Sequence, residues 1–236
     1  MIGQTIARNA FLFGLCLLAL AGCGDRSSGF AETRLPDDPT TEPAPTGEYR
    51  SNFVVEFSEP TQSVPEQDAI LAKYNYLDPN KVIPEKNLRA AVLYYDTNKA
   101  QIANQNYLSI IDFGVSSKYK RFHIINMATG AVWSIRVAHG KGSDPDGDGM
   151  LDRFSNVEGS LASSQGFMLT AETYDGKNGY SLRLDGLSPT CSNVRSRAIV
   201  IHGSDYVEEA NVIQGRSWGC PAVTHDYRDR VINLLK

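Results

Sequence analysis

The sequence predicts an α+β domain, mainly β, with helices ahead of its strands. Three observations carry that prediction. An apolar leader and a polar, proline-rich stretch occupy residues 1–50, so core-forming sequence starts at residue 51. Helical periodicity is confined to the segments before residue 105 and to the C-terminal end. Between them, short β-branched or aromatic runs alternate with turn signals. The roughly 185 residues beyond the tether suffice for one domain with a sizeable core.

The leader reads "MIGQTIARNAFLFGLCLLALAGC". Arg8 precedes an apolar run from Ala10 to Ala21, too short for a membrane span and of secretory-signal type, giving a signal peptide over residues 1–22. Its end, Leu20-Ala21-Gly22-Cys23, resembles the bacterial lipobox, in which the cysteine is lipidated and becomes the mature N-terminus. An ordinary signal peptide with a chance cysteine is the alternative. The expectation is a periplasmic protein held to a bacterial membrane, the outer one, through lipid on Cys23; more than one acyl chain anchors stably. Residues 23–50 follow as a disordered tether: rich in Pro, Thr, Ser and acid, they have too few apolar groups for a core.

Charge excludes one class of partner. The whole chain carries a formal −4, and the tether has six acids against three bases. The remainder is close to neutral, with no basic face, so no nucleic-acid partner is expected.

Residues 51–104 form the helical N-terminal part. "PEQDAILAKYNYL" opens on proline and acid, and "PEKNLRAAVLYYDTNKAQIA" sets Leu88, Ala91, Val92 and Tyr95 at helical spacing. Residues 105–236 form the β-rich main part of the domain. Strands are predicted at 107–113, 121–127, 131–138, 166–172, 180–184 and 197–201, with "ATGA" and "DGKNG" as turns. A final helix lies in "VTHDYRDRVINLLK", with Thr224 as N-cap.

The candidate chemistry sits late in the chain. The strand "RAIVI" ends at His202-Gly203, where a side chain can face a cleft while substrate approaches bare backbone. Ser217-Trp218-Gly219-Cys220-Pro221 then offers a thiol amid backbone N–H groups able to converge on an oxyanion, those of Cys220, Gly219 and Trp218. A thiol is only a few per cent ionised at neutral pH, so it requires a neighbouring imidazole. With Cys16 in the signal and Cys23 lipidated, Cys191 and Cys220 remain. A structural disulfide between them is one reading; an unpaired nucleophile at Cys220 is the one adopted.

His-Gly followed by Ser-X-Gly-Cys resembles the signature of the L,D-transpeptidase catalytic domain (YkuD-like) family. The segments "LSIIDFGVSSKYKRFHIINMATGAVWSIRVAHGKGS", "FSNVEGSLASSQGFMLTAETYDGKNGYSLRLDGL" and "RSRAIVIHGSDYV" look like its murein L,D-transpeptidase branch, from about residue 65 onward. The resemblance implies a β-sandwich catalytic domain with preceding helices. It also implies that Cys220 attacks a peptidoglycan stem peptide, expels the terminal D-alanine and forms a thioester. His202 would be the base, oriented by the Gly203 carbonyl. An amine from another stem would resolve the thioester into a cross-link, or water would, giving L,D-carboxypeptidase activity. Rival readings are a hydrolase of stems or wall-linked proteins, and a catalytically inactive wall-binding lipoprotein. No cofactor is expected for catalysis.

Two positions depart from the family pattern. Trp218 replaces a histidine before Gly-Cys, and Ala222 replaces an arginine after it. Ser217, Trp218 and Arg216 are expected to contact substrate, Trp218 as a wall of the acyl pocket and Arg216 as the missing cation. A second His-Gly, His139-Gly140, is read as lining the pocket.

"DPDGDGMLD" has the oxygen spacing of a calcium loop. Asp144, Asp146, Asp148, Gly149 and Asp152 take positions 1, 3, 5, 6 and 9, and Met150 offers its carbonyl at 7. Position 12 is Ser155 instead of glutamate, so weak structural Ca2+ binding is expected, with a solvated acidic turn as the alternative.

Overall fold

The computed structural model describes residues 58–236 together with the backbone of Leu15–Ala19. Cys23, the expected tether and the rest of the expected leader lie outside the described residues. No helix among the described residues is long and apolar enough to cross a membrane.

Helix α1 (Val64–Ala72) begins where Glu66 reaches back to accept from the Ser63 N–H at 2.8 Å, half of a capping box. Helix α2 (Glu85–Asn98) buries Asn87, Ala91, Tyr94 and Asn98, one face at three- and four-residue spacing. Helix α3 (His225–Leu235) follows Thr224, as expected, and buries Val231, Ile232 and Leu235.

Seven strands make the domain. They are β2 (Tyr107–Asp112), β3 (Phe122–Asn126), β4 (Val132–Ile135), β5 (Gly166–Gly176), β6 (Gly179–Gly186), β7 (Val200–Gly203) and β8 (Ala222–Val223). β2, β3 and β4 form one antiparallel sheet in the order β4-β3-β2, and the second runs β5-β6-β7-β8. β1 (Leu15–Ala19) joins the two, parallel to β2 and antiparallel to β5. This is the expected α+β sandwich.

Strand alternation sorts the core into two layers. Ile111, Phe122, Ile124 and Ile135 face Met168, Leu182, Leu184 and Ile201 across the sheets, and α3 closes that layer. Leu108, Ile110, Ile125 and Leu169 face the other way, under Ala91, Val92, Tyr94 and Tyr95 of α2. The leading helices therefore share a core with the catalytic strands.

The largest shifts from the predicted strand boundaries are in β4, β5 and β7, with β5 running on to Gly176. β4 was expected to reach Ala138 but ends at Ile135, because the Arg136 N–H donates to Glu209 Oε1 at 2.8 Å instead of to a ladder. β7 starts at Val200 instead of Arg197, because Ala198 takes a left-handed φ of 52° and closes a turn onto the Arg195 carbonyl. The two-residue β8 was not predicted.

Candidate active site

His202 is the penultimate residue of β7, in a fully buried run. Its Nδ1 lies 2.9 Å from the carbonyl oxygen of Gly203. A carbonyl only accepts, so the proton in this contact sits on Nδ1 and Nε2 is left as the basic nitrogen. Gly203 is required for packing: a Cβ there would stand 2.6 Å from His225 Nδ1 and 3.0 Å from Arg228 Cδ. Thus His225, exposed at the start of α3, lies against the strand that carries His202.

Parallel pairing of β7 with β8 sets His202 opposite Ala222, two residues beyond Cys220. Adjacent strands lie about 4.8 Å apart, so thiol and imidazole rise from neighbouring backbone at one end of this sheet. Cys220 is only 1% exposed and its Sγ sits 3.6 Å from the Ala198 carbonyl. Gly219 turns the chain into this position with φ 126°, and a Cβ there would collide with the Ala162 carbonyl at 2.7 Å.

Ser217 braces the turn. Its buried Oγ accepts from the Gly219 N–H at 3.0 Å and donates to the Cys220 carbonyl at 2.7 Å. Ser217, expected to contact substrate, thus also serves the loop's own backbone, and the Gly219 N–H, an expected oxyanion donor, is engaged by Ser217.

His139, expected to line the pocket, is braced from within the fold. It is 1% exposed. Arg121 Nη2 donates to its Nδ1 at 2.9 Å, which leaves its proton on Nε2, 3.0 Å from Asp144 Oδ2. Both ring nitrogens are occupied, so His139 has none to offer a thiol or a substrate. Burial, foremost, holds its pKa below the ordinary histidine value; Asp144 opposes that shift and Arg121 adds to it. The backbone continues the brace: the Ser217 N–H donates to the His139 carbonyl, and Gly140 packs so closely that a Cβ would lie 2.7 Å from Gly219 Cα.

Arg121 was missed in the sequence, hidden as the first residue of a strand-like run. It is fully buried, donating to the Val115 and Val137 carbonyls as well as to His139. Burial pushes its pKa down to about 9, so it remains a cation at neutral pH, and Asp144 and Asp112 favour that charge.

Asp144, Asp146 and Asp148 bring one carboxylate oxygen each within 4.8 Å of one another, the first buried and the other two exposed. Asp144 already takes three hydrogen bonds: it accepts from the Gly147 and Gly149 N–H groups at 2.8 and 3.2 Å, besides His139. Arg216, expected to contact substrate, donates to the Asp144 carbonyl and packs over Gly147, so its charge lies against this loop. Met150 is partly exposed, its N–H bonded to Asp148 Oδ1 at 2.7 Å. The Asp152 carboxyl is raised above its usual range by burial, then by Asp146, Asp148 and Asp144.

A second unforeseen cation lies beside the thiol. Arg197 immediately precedes Ala198, whose carbonyl contacts Cys220 Sγ. Its guanidinium ties the loop of residues 155–164 through the Ser155 and Ala162 carbonyls at 2.7 and 2.6 Å and through Ser160 and Ser164 Oγ. Burial lowers its pKa, while Cys220 and then Glu158 favour its charge. Trp218 is half-buried, with Lys141 Nζ 5.7 Å from its ring. A cavity of about 10 Å³, room for one water, is lined by Phe113, Ser163, Ser164, Met168, Ile199, Gly219 and Pro221.

Cys191 and Cys220 form no disulfide. The Cys191 thiol donates to the Phe167 carbonyl at 3.2 Å, and burial raises its pKa.

No curated protein and no solved structure matches this chain. A family model, described as L,D-transpeptidase catalytic domain, matches residues 79–236, from just before α2 through the His202 and Cys220 segments to the last residue. Over more than half of its length, this chain belongs to the L,D-transpeptidase catalytic domain family.

Proposed function

We propose that this protein is a lipid-anchored, periplasmic cysteine L,D-transpeptidase that acylates itself on peptidoglycan stem peptides and passes the acyl group to an amine. The family acts on such stems. The observation that carries the finer reading is the 2.9 Å contact between His202 Nδ1 and the Gly203 carbonyl, which presents Nε2 as a base on the strand beside Cys220.

In this reading Nε2 removes the Cys220 proton and the thiolate attacks a stem carbonyl. With the Gly219 N–H engaged, the N–H groups of Cys220 and Trp218 receive the oxyanion. The imidazolium returns its proton to the departing amine of D-alanine as the thioester forms. The attacking amine of a second stem then loses its proton to Nε2, and the thiol is regenerated. The peptide bond broken supplies the free energy, so no nucleotide is consumed.

Arg197 assists by holding positive charge near the sulfur, a role the Ala222 position cannot serve. The acidic loop acts in this reading as a weak structural Ca2+ site built on Asp146, Asp148 and the Met150 carbonyl, with Asp144 and Asp152 behind them.

Muropeptide mass analysis of cells with and without the protein tests the proposal. Cross-links between third-position residues that vanish with Cys220→Ala are the expected result. Accumulation of shortened stems without cross-links would make it a carboxypeptidase, and no change at all would leave the inactive wall-binder.

A further inference from the structure

Residues of the expected leader fill the gap between the two sheets. β1 pairs Leu15–Ala19 with Leu108–Asp112 on one side and its first four residues with Gly166–Leu169 on the other. Remove residues 1–22 and both strands lose a partner along a line that is otherwise interior: Leu108, Ser109, Ile110 and Ile111 are fully buried. Unpaired backbone N–H and C=O groups at such a place are costly, and paired edges are the rule.

We infer that β2 and β5 form a strand-accepting groove, and that in the mature protein the segment Asn52–Phe57 of the same chain occupies it. This rests on leader removal, which is part of the proposed function.

Three observations choose that occupant. Its sequence, "NFVVEF", is β-branched and aromatic, whereas the stretch from Gly24 to Arg50 is polar and proline-rich. Its polarity fits: an occupant parallel to β2 must leave the groove at the Gly166 end, where Leu18 pairs Gly166. The chain is picked up close to that end. The Ser58 N–H donates to Asn98 Oδ1 at 2.7 Å, and Asn98 Nδ2 donates to the Ser58 and Tyr94 carbonyls, each at 2.9 Å. Tyr94 in turn stacks on Phe167, the groove residue next to Gly166, at 3.7 Å. Six extended residues span about 20 Å, enough for the five positions that β1 holds.

Leader and Asn52–Phe57 thus compete for one groove, and cleavage hands it from one to the other. Hydrogen exchange read by mass spectrometry, on the mature full chain in detergent, tests this. Amides of 53–57, of Leu108–Asp112 and of Phe167–Leu169 should exchange at least about 100-fold more slowly than unprotected peptide. Val55→Pro should release all three segments, while Thr41→Pro in the tether should release none. Free exchange of 53–57 in a chain whose intact mass begins at Cys23 would overturn the inference. An intact mass that begins at Met1 would instead overturn the lipoprotein reading, and this inference with it.

Discussion

Arg121 lies 2.9 Å from Nδ1 of His139, and with Asp144 on Nε2 that contact gives both ring nitrogens of the first His-Gly pair internal partners. His139→Ala should act chiefly on stability. It leaves buried donors on Arg121 and a buried carboxylate on Asp144 without their partner, a loss of about 1–3 kcal/mol. Chemical denaturation checks the loss, and acylation of the folded fraction should fall far less than in His202→Ala.

His139 also predicts a pH dependence. The pKa values of His139 and of His123, also buried, lie below the ordinary histidine value when folded. The unfolded chain therefore binds more protons below about pH 6.5, and stability falls as pH falls through that region. Above it the effect is fully relieved. His139→Asn should flatten the slope of denaturation free energy between pH 7 and 5; an unchanged slope would exclude His139 from it.

Cys220→Ala should abolish labelling by a carbapenem-type acylating reagent and leave the denaturation curve in place. His202→Ala should slow acylation by about 10²–10⁴-fold, the usual worth of a positioned base. Normal turnover in either variant would refute the mechanism.

Calcium should raise the melting temperature of the domain, since a ligand held only by the folded state stabilises it. Asp146→Asn with Asp148→Asn should erase the increment and spare acylation, because neither residue reaches the thiol loop as Asp144 does through His139. Curves indifferent to calcium and to chelator would reduce the loop to a polar turn.

Two thiols should titrate in unreduced, denatured domain lacking Cys23. The Cys191 sulfur donates to the Phe167 and Ser188 carbonyls, and Cys220 lies against Ala198. One bridged pair would favour redox control instead.

Much of this architecture was legible because its signals are local. Alternation placed β2 and β3 closely, and Thr224 marked the start of α3. What escaped was tertiary. β8 has two residues and no period to detect. Arg121 looked like an ordinary strand-end charge, and only the fold shows it walled in by Val115, Val137 and His139. Ser217 and Arg216 were assigned to substrate because they flank the motif, and His139 to the pocket because it begins a second His-Gly. The structure gives each an internal partner, since a glycine-rich loop that must hold a thiol steady needs its own backbone bonds satisfied first. Arg197 stood in plain view within "NVRSRAIV", but nothing in linear spacing connects it to Cys220.

The near-complete enclosure of Cys220 bears on the sulfur's survival between turnovers. Oxidation of cysteine follows thiolate character and access, and past the sulfenic stage it is irreversible for most proteins. A residue that is 1% exposed, with room for a single water beside its neighbours Gly219 and Pro221, offers peroxide little to reach. Under the proposed mechanism a donor peptide displaces the walls to be attacked, so the sulfur becomes reachable mainly when an acyl group is there to take it. The toll falls on affinity, since donors meet a competent form only for the fraction of time it exists. Longevity of the nucleophile and weak capture of substrate are, in this domain, two readings of one closed door.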